Sequence, residues 1–552
     1  MPRGRALLRD PRYNRGTAFT LEERAVLGLQ GLLPPAVLTL EQQCDRAYEQ
    51  YEAQPSDIAR NSFLAALHDR NEVLYYRLLE VHLQEMLPII YAPVISQAIQ
   101  RYSHEFQRPN GVYLSVDDIE GVQDAFSNYG LGAEDVDLLV ATDAEAILGI
   151  GDWGANGMAI SIGKLAIYTA AAGIHPGRVI PVMLDVGTDR ESLLKDPVYV
   201  GNRHGRVRGE RYDALVEAFV EAASTMFPHA LLHFEDFGPS NARRILEQYR
   251  DRYRVFNDDM QGTGAITLAA ILAGMRVAGT RPGEQRIVIY GAGTAGVGVA
   301  DQIRAVMLDD GLSERDARAR FWCVDRQGLL VDDMTDLRDF QVSYARPRSE
   351  LTDWRTAAED GSIGLADVVA NVHPTILVGT STQGGAFSEP IVREMAAHVE
   401  RPLIFPLSNP TELIEAVPAD VIAWTGGRGL VGTGTPWAPV RYDGIDYEIG
   451  QANNALIYPG IGLGTIVAGA STVTDRMLLA ASHALASLVD ASRPGAGLLP
   501  EIANLRKTSA TVAAGVARQA IADGVAAVEL EDPMKAMLDA MWIADYSPMQ
   551  IG

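Results

Sequence analysis

The sequence predicts an α/β chain built on parallel sheets, and three observations carry that prediction. Short apolar runs of strand length alternate with longer helical runs from about Arg108 onward. One of the strand runs leads through a glycine-rich turn straight into a helix. The chain, at 552 residues, also exceeds what one ordinary core organises, so two or more domains are expected.

Residues 1–107 read as mainly helical, and Asn61 to Met86 carries Phe63, Leu64, Leu67, Leu74, Leu78 and Leu79 at an amphipathic spacing. Pro88 and Pro93 punctuate the end of this region and set Tyr91 at a break, where a side chain can reach into a cleft. Val136 to Thr142 (VDLLVAT) and Arg178 to Val186 (RVIPVMLDV) are expected as buried strands, with Met158 to Ala172 as a helix between them. That is a βαβ signature and implies parallel pairing.

A second alternation begins after Asp259. Gly262 to Thr280 is the most apolar stretch, but it is rich in Gly, Ala and Thr and ends near Arg276, so a buried helix is expected rather than a membrane span. Arg286 to Tyr290 is an apolar strand, followed by a glycine turn and a helix through about Met307. Phe321 to Asp325, Thr375 to Thr380 and Leu403 to Leu407 continue the series, which reads as a doubly wound sheet.

Net charge is −24, from 47 basic and 71 acidic residues, which makes nucleic acid and anionic membranes poor partners. The same field repels a small dianion, so a site for one must build its own positive potential, for example with a metal ion. Two cysteines, Cys44 and Cys323, form neither a disulfide framework nor a metal cluster, and a reducing cytoplasm is expected. Arg3, Arg5 and Arg9 precede Asp10 and Pro11 rather than an apolar core, so no secretory signal is expected.

The glycine turn reads Gly291-Ala292-Gly293-Thr294-Ala295-Gly296. GxGxxG between a strand and a helix supplies a tight turn, close backbone approach to a pyrophosphate and helix packing on the strand. Asp325 ends the next strand and can bind ribose hydroxyls, later than the usual spacing because Leu308 to Arg320 lengthens the connection. Arg326 comes directly after it and can clamp a 2′-phosphate instead, so NAD and NADP both stay open.

Two acidic clusters, Phe234-Glu235-Asp236-Phe237 and Asn257-Asp258-Asp259, each succeed an apolar run and are expected at strand ends, where α/β proteins bind ligands. Such a pair alone is more often a loop end or a helix cap. Gathered together, the carboxylates repel one another unless a cation sits among them, and oxygen ligands select Mg²⁺ or Mn²⁺.

Taken together, the runs IIYAP (Ile89–Pro93), TDAEAILGIGD (Thr142–Asp152), GKLAIYTA (Gly163–Ala170), LDVGT (Leu184–Thr188), DPVYVGNRH (Asp196–His204), FEDF (Phe234–Phe237), FNDDMQGTG (Phe256–Gly264), PLSNPTE (Pro406–Glu412) and GQANNALIYPGIGLG (Gly450–Gly464) resemble the large-type malic enzymes. The motifs occur in family order from Tyr91 to Gly464. The resemblance implies oxidative decarboxylation of malate to pyruvate with NAD or NADP and Mn²⁺ or Mg²⁺. It implies Glu235, Asp236 and Asp259 as metal ligands, and Lys164, assisted by Asp258, as the base for the malate hydroxyl. It further implies Tyr91 as the acid toward the enolate carbon, Asn409 and Asn454 as substrate contacts, with Asn409 also facing the cofactor, and Gly291 to Gly296 and Asp325 as dinucleotide contacts.

Those residue types suit the chemistry. A lysine takes a hydroxyl proton only if its pKa falls from about 10.4 towards neutrality, which burial and a nearby cation both promote. By themselves Lys164 reads as a surface lysine, Tyr91 as a core-edge aromatic, Asn409 as a turn former and Asn454 as a helix cap.

By analogy the resemblance implies a helical N-terminal region (1–107), a parallel-sheet substrate domain (108–257 and a return segment 454–525), an inserted Rossmann-like dinucleotide domain (258–453) and a tail (526–552), with a homodimer or homotetramer as the assembly.

One departure matters. Most of the family carries TDxERILG, whose arginine binds a substrate carboxylate; here that position holds Ala146. A charge-assisted hydrogen bond of about 1.5–3 kcal/mol is missing. Malolactic enzymes, a sister group that turns malate into lactate on a retained dinucleotide, also lack it, and GIGDWG and LHFEDFGPSNA lean the same way. The malic reading is favoured over the malolactic one. A non-catalytic dinucleotide- or malate-binding protein is the remaining alternative, and retention of Lys164, Tyr91 and the carboxylates argues against it.

Overall fold

The computed structural model describes residues 2–147, 149–354, 362–490 and 492–546. Leu148 of the TDAEAILGIGD run and residues 547–552 of the expected tail lie outside the described residues. The chain divides into two units, Met1–Gly238 with Leu538–Gly552, and Pro239–Met537.

In the first unit β-branched and leucine-rich runs form the strands β1 (Val112–Ser115), β2 (Leu138–Thr142), β3 (Val179–Asp185) and β4 (Leu231–Phe234), with β2, β3 and β4 buried throughout. Their order is β1-β3-β2-β4, all parallel. A sheet buried on both faces needs no polar alternation, which is why these strands read as continuous apolar runs. The crossover from β2 to β3 contains the helix Met158–Ala172, the span expected from the sequence, which packs on both strands.

The N-terminal region is helical but more broken than the periodicity of Asn61 to Met86 suggests. That run is divided among Asp57–His68, Glu72–Val81 and Leu83–Ile90. Asn71 makes the first break by accepting a hydrogen bond from Leu74 N at 2.9 Å, a local cap that competes with helix continuation. Pro88 lies inside the third helix instead of ending it, and Tyr91 is its C-cap.

The second unit opens with the helix Pro239–Tyr249 and holds the short strand β5 (Val255–Asn257), β6 (Ile287–Tyr290), β7 (Phe321–Asp325), β8 (Gly328–Leu329), β9 (Ile376–Gly379), β10 (Leu403–Pro406), β11 (Leu430–Thr433), a hairpin of β12 (Val440–Tyr442) and β13 (Ile445–Tyr447), and β14 (Gly450–Gln451). Seven of these form one sheet, ordered β14-β11-β10-β9-β6-β7-β8. The β7–β8 pairing is antiparallel and the others described are parallel. The chain winds both ways from β6, as expected of a doubly wound domain.

The apolar stretch after Asp259 is the helix Thr263–Ala278, almost wholly buried against Thr294–Asp309 and Asp475–Ser487. The helix Tyr458–Val467 packs closely on Leu505–Ala522. A Cβ at Gly460 would lie 2.6 Å from Val512 Cβ, and one at Gly464 would lie 2.5 Å from Ala513 O, so the glycines of GIGLG set that approach. Among the described residues no single helix is long and apolar enough to cross a membrane.

Candidate active site

In the first unit a strand and a helix present matched faces. Residues two apart on a strand share a face, as do residues four apart on a helix. His233 and Glu235, at the end of β4, therefore meet Lys164 and Tyr168 of the helix Met158–Ala172. His233 Nε2 lies 2.9 Å from Glu235 Oε2, and its Nδ1 lies 2.8 Å from the Tyr168 hydroxyl. Lys164 Nζ lies 2.9 Å from Glu235 Oε1. From the C-cap of the preceding helix, the Tyr91 hydroxyl donates to that same oxygen at 3.5 Å, and Lys164 Nζ sits 5.1 Å from the centre of the Tyr91 ring. Lys164 is 1% exposed, which overturns the surface-lysine alternative. A buried ammonium needs a partner at this range, because desolvation otherwise costs several kcal/mol.

Asp236 comes next with φ of +54°, the left-handed region that aspartate tolerates better than most residues, and its carbonyl accepts from Ala146 N at 3.1 Å. Glu235 and Asp236 are both buried. Thus Tyr91, Lys164, Glu235 and Asp236 are brought to one small volume.

The stretch Thr142–Asp152 is folded around a residue that sequence reasoning missed, Arg206. Its guanidinium is buried and donates to Asp143 O at 2.8 Å and to Asp152 Oδ1 at 2.9 Å. Tyr212 donates to Asp143 Oδ2 at 2.7 Å. Burial raises the Asp143 carboxyl above the usual range against the pull of Arg206, whereas at Asp152 burial is outweighed by hydrogen bonds and charge from Arg206, and its pKa falls. Beside the half-buried Ala146, Glu145 Oε1 pairs with Arg208 Nη1 at 2.7 Å.

In the second unit β5 leads into an irregular helical turn, Asp258–Gly262. Asn257 Oδ1 accepts from Met260 N at 3.0 Å and Gln261 Oε1 accepts from Asn257 N at 2.9 Å, which pins that turn from both ends. Asp258 is fully buried and Asp259 is half-buried. Asn454 Nδ2 donates to Asp258 Oδ2 at 3.0 Å and to Thr263 Oγ1 at 3.0 Å. Asn409 lies just past β10, its Nδ2 donating to Leu407 O at 3.3 Å. Glu415, also missed, is fully buried and accepts from Ser381 N at 2.8 Å and from Ser408 N at 3.2 Å, tying together the loops after β9 and β10.

The glycine turn fits a dinucleotide. Gly291 has φ of +97°, and a Cβ there would lie 2.5 Å from the Thr380 carbonyl. A Cβ on Gly296 would lie 2.3 Å from Gly291 O, so the helix Thr294–Asp309 starts hard against the turn. A Cβ on Gly293 would meet nothing within 4 Å, which leaves open the space a pyrophosphate needs at a helix N-terminus. Thr294 Oγ1 is buried there with no hydrogen-bond partner among the described residues. Asp325 ends β7, and Gln341 Nε2 donates to Asp325 Oδ2 and to Ala292 O, each at 2.7 Å. Gln341 thereby fixes the carboxylate to the turn; it lies 16 positions beyond Asp325 on the short helix Asp339–Val342, with no pattern to reveal it. His233, by contrast, has a signal in the H-x-E spacing opposite K-x-x-x-Y.

A parallel-sheet unit with a buried lysine, tyrosine and carboxylates, and a doubly wound unit with a dinucleotide turn, define the class of a dinucleotide-dependent oxidoreductase frame. The family model "Malic enzyme, N-terminal domain" matches residues 68–250 and "Malic enzyme, NAD binding domain" matches residues 260–521. The chain is 56% identical over 548 residues to NAD-dependent malic enzyme 3 of Bacillus subtilis, covering 99% of this chain and 97% of that one. It is 45% identical over 544 residues to the malolactic enzyme of Leuconostoc mesenteroides, covering 98% and 99%. The crystal structure of the Entamoeba histolytica malic enzyme shares the fold, with a TM-score of 0.56 at 22% identity over 93% of this chain and 90% of that one. The chain belongs to the malic enzyme family.

Proposed function

We propose that this chain is an NAD-dependent malic enzyme, oxidising L-malate at C2 and releasing CO₂ and pyruvate. The observation that carries the reading is the group of buried Lys164 and Glu235 with half-buried Tyr91, an ammonium and a phenol on one carboxylate oxygen. A purely binding scaffold has no use for a base and an acid held so expensively out of water.

Once the ammonium has given up its own proton, the neutral Lys164 Nζ would take the proton of the 2-hydroxyl while C2 gives up its hydride to the bound dinucleotide, with Asp258 assisting. The Tyr91 hydroxyl returns a proton to C3 after the C4 carboxylate has departed. Asn409 and Asn454 hydrogen-bond the substrate, Asn409 also facing the cofactor, and Gly291 to Gly296 receive the pyrophosphate. Glu235, Asp236 and Asp259 are proposed as ligands of Mg²⁺ or Mn²⁺, a hard-oxygen donor set that suits either ion. A cation held there would supply Lewis acidity and an electron sink for decarboxylation. His233 acts as a positioning residue: it fixes the second oxygen of Glu235 and so orients the first towards Lys164 and Tyr91.

Asp325, held by Gln341, presents an acceptor to ribose hydroxyls and repels a 2′-phosphate, which favours NAD over NADP. We infer further that the protein works in a reducing cytoplasm as a homodimer or homotetramer, without nucleic acid or membrane partners.

Absorbance at 340 nm with malate, Mn²⁺ and NAD, run beside assays for pyruvate and lactate, tests the proposal. NADH appearing with pyruvate in equal amount is expected. Lactate without net NADH overturns it in favour of the malolactic reading, which Ala146 keeps in play; no turnover favours a binding protein. If the missing arginine sets the behaviour of this chain, Ala146→Arg should lower KM for malate or speed dinucleotide release, and steady-state and single-turnover kinetics that leave both unchanged refute that cause.

A further inference from the structure

A second cluster of ligand-type side chains lies in the doubly wound unit, apart from every residue given a role above. His373 is the C-cap of the helix Leu365–Val372, and Glu394 and His398 lie four apart on the helix Glu389–His398. These two helices pack on each other. His398 Nε2 lies 3.2 Å from Glu394 Oε1, and His373 Nδ1 lies 3.7 Å from the same oxygen. One ligand atom from each of the three residues falls within 4.8 Å of the others.

One member of the cluster, His373, is fixed through its backbone. His373 has φ of +48°, a conformation uncommon for a residue with a side chain. It is held there by His373 N donating to Val369 O at 2.9 Å and by Arg286 Nε donating to His373 O at 2.9 Å. The guanidinium is thus turned to backbone carbonyls. The two imidazoles stack with centroids 3.6 Å apart, and His373 Nδ1 is buried with no hydrogen-bond partner among the described residues. Burial, and then the neighbouring His398, lower the His373 pKa, so its ring is a neutral ligand at neutral pH.

We propose that His373, Glu394 and His398 form a binding site for a borderline divalent transition metal, of which Zn²⁺ is the representative. Imidazole with one carboxylate suits Zn²⁺, whereas Mg²⁺ prefers all-oxygen sites and dehydrates reluctantly. Bonds of about 2.0 Å in a tetrahedral array put ligand atoms about 3.3 Å apart, and the two separations from Glu394 bracket that value. The stacked rings must splay as the ion enters, which the half-exposed His398 at its helix end is free to do; water completes the coordination. The site also sits at the opposite end of the sheet from the dinucleotide turn. His373 precedes β9 and His398 precedes β10, whereas Gly291 comes after β6, and all three strands are parallel. The two sites can therefore be occupied independently, and the proposal does not rest on the catalytic reading.

The test uses the full chain with saturating Mg²⁺, which fills oxygen sites without competing for imidazole. Zn²⁺ is titrated by calorimetry and Co²⁺ by visible absorption, in the unaltered protein and in His398→Ala, Glu394→Gln and His373→Asn, the last keeping a residue that tolerates the left-handed backbone. One equivalent of Zn²⁺ bound in the presence of Mg²⁺ is expected, with Co²⁺ giving visible bands and Zn²⁺ raising Tm. Each variant should keep its metal-free Tm and its Mg²⁺-dependent activity while binding Zn²⁺ at least about tenfold more weakly. Equal Zn²⁺ affinity in the unaltered protein and His398→Ala, or no Zn²⁺ bound beside Mg²⁺, overturns the proposal.

Discussion

At the scale of single residues, Lys164 bears the most. Its ammonium is buried on a helix whose other side chains are nearly all apolar, and its counter-charge is a carboxylate at the end of the neighbouring strand. That arrangement costs desolvation on both partners, so its retention makes sense if the proton on Nζ is meant to move. Lys164→Ala is accordingly expected to lower kcat by about 10²–10⁴-fold, the usual worth of a positioned base, while leaving the dinucleotide Kd within about twofold. Stopped assays and nucleotide fluorescence quenching measure the two. A kcat that survives the substitution removes Lys164 from the proton path. His233 shows why such a site is only half readable from sequence: the acid, base and ligand types announce themselves through motif runs, whereas a histidine that merely aims a carboxylate looks like any strand residue until the facing helix is in place.

At the scale of elements, the glycine turn makes two substitutions of the same type behave differently. A methyl at Gly296 must displace backbone, because Gly291 O stands 2.3 Å from where its Cβ would be, so Gly296→Ala is expected to destabilise the fold by about 1–3 kcal/mol and to weaken dinucleotide binding. A methyl at Gly293 meets no protein atom within 4 Å. Gly293→Ala should therefore keep Tm within about a degree or two of the unaltered protein yet bind NAD at least about tenfold less tightly, since the methyl enters the space left for pyrophosphate. Thermal melts paired with NAD titration separate the cases, and equal stability losses in both refute the assignment.

A third element-scale expectation concerns the helix Glu72–Val81. Burial raises the Glu72 carboxyl to about 7, from an ordinary 4.5, despite the pull of Arg12. His68 Nε2 lies 3.9 Å away, but burial takes that imidazole down to about 4, so it brings no charge at neutral pH. With the folded pKa above the unfolded one, the folded state holds the proton more tightly. The benefit is complete below about pH 4.5 and is lost as pH rises through about 7. Glu72→Gln keeps the site neutral. It should match the unaltered protein at low pH and exceed it at about pH 8 by roughly 2–3 kcal/mol, after an allowance of about 0.3–1 kcal/mol for a lost acidic group in the first helical turn. Denaturant melts at the two pH values decide; a loss of stability at both refutes it. Elements were the most legible scale. Met158–Ala172 and β7 coincide with their sequence spans because a buried apolar run has one comfortable conformation. The broken helices around Asn71 did not, because a side-chain cap is a local hydrogen bond that a periodicity of apolar residues cannot register.

At the scale of the whole molecule the dominant fact is the charge of −24, set against a substrate and a cofactor that are both anions. The cations buried near the site do not relieve it: Arg206 is neutralised by Asp143 and Asp152, and Lys164 by Glu235. Long-range attraction therefore does not bring malate to the protein, and the encounter is opposed until the dianion comes within reach of the divalent cation proposed for Glu235, Asp236 and Asp259. Screening should help under those conditions. The Debye length falls from about 30 Å at 10 mM salt to about 8 Å at 0.15 M, which removes most of the distant repulsion and little of the short-range attraction. At fixed saturating Mg²⁺, kcat/KM for malate is expected to rise roughly two- to fivefold over that range of KCl, with kcat nearly constant, because the change lies in encounter and not in chemistry. Two controls sharpen the reading: sucrose at matched viscosity should give no rise, and a malate monoester, carrying half the charge, should show a shallower slope. If kcat/KM falls with salt instead, local positive potential dominates the approach path, and the cation-centred picture of how this acidic protein captures a dicarboxylate must give way to one built on side chains around Arg208 and Ala146.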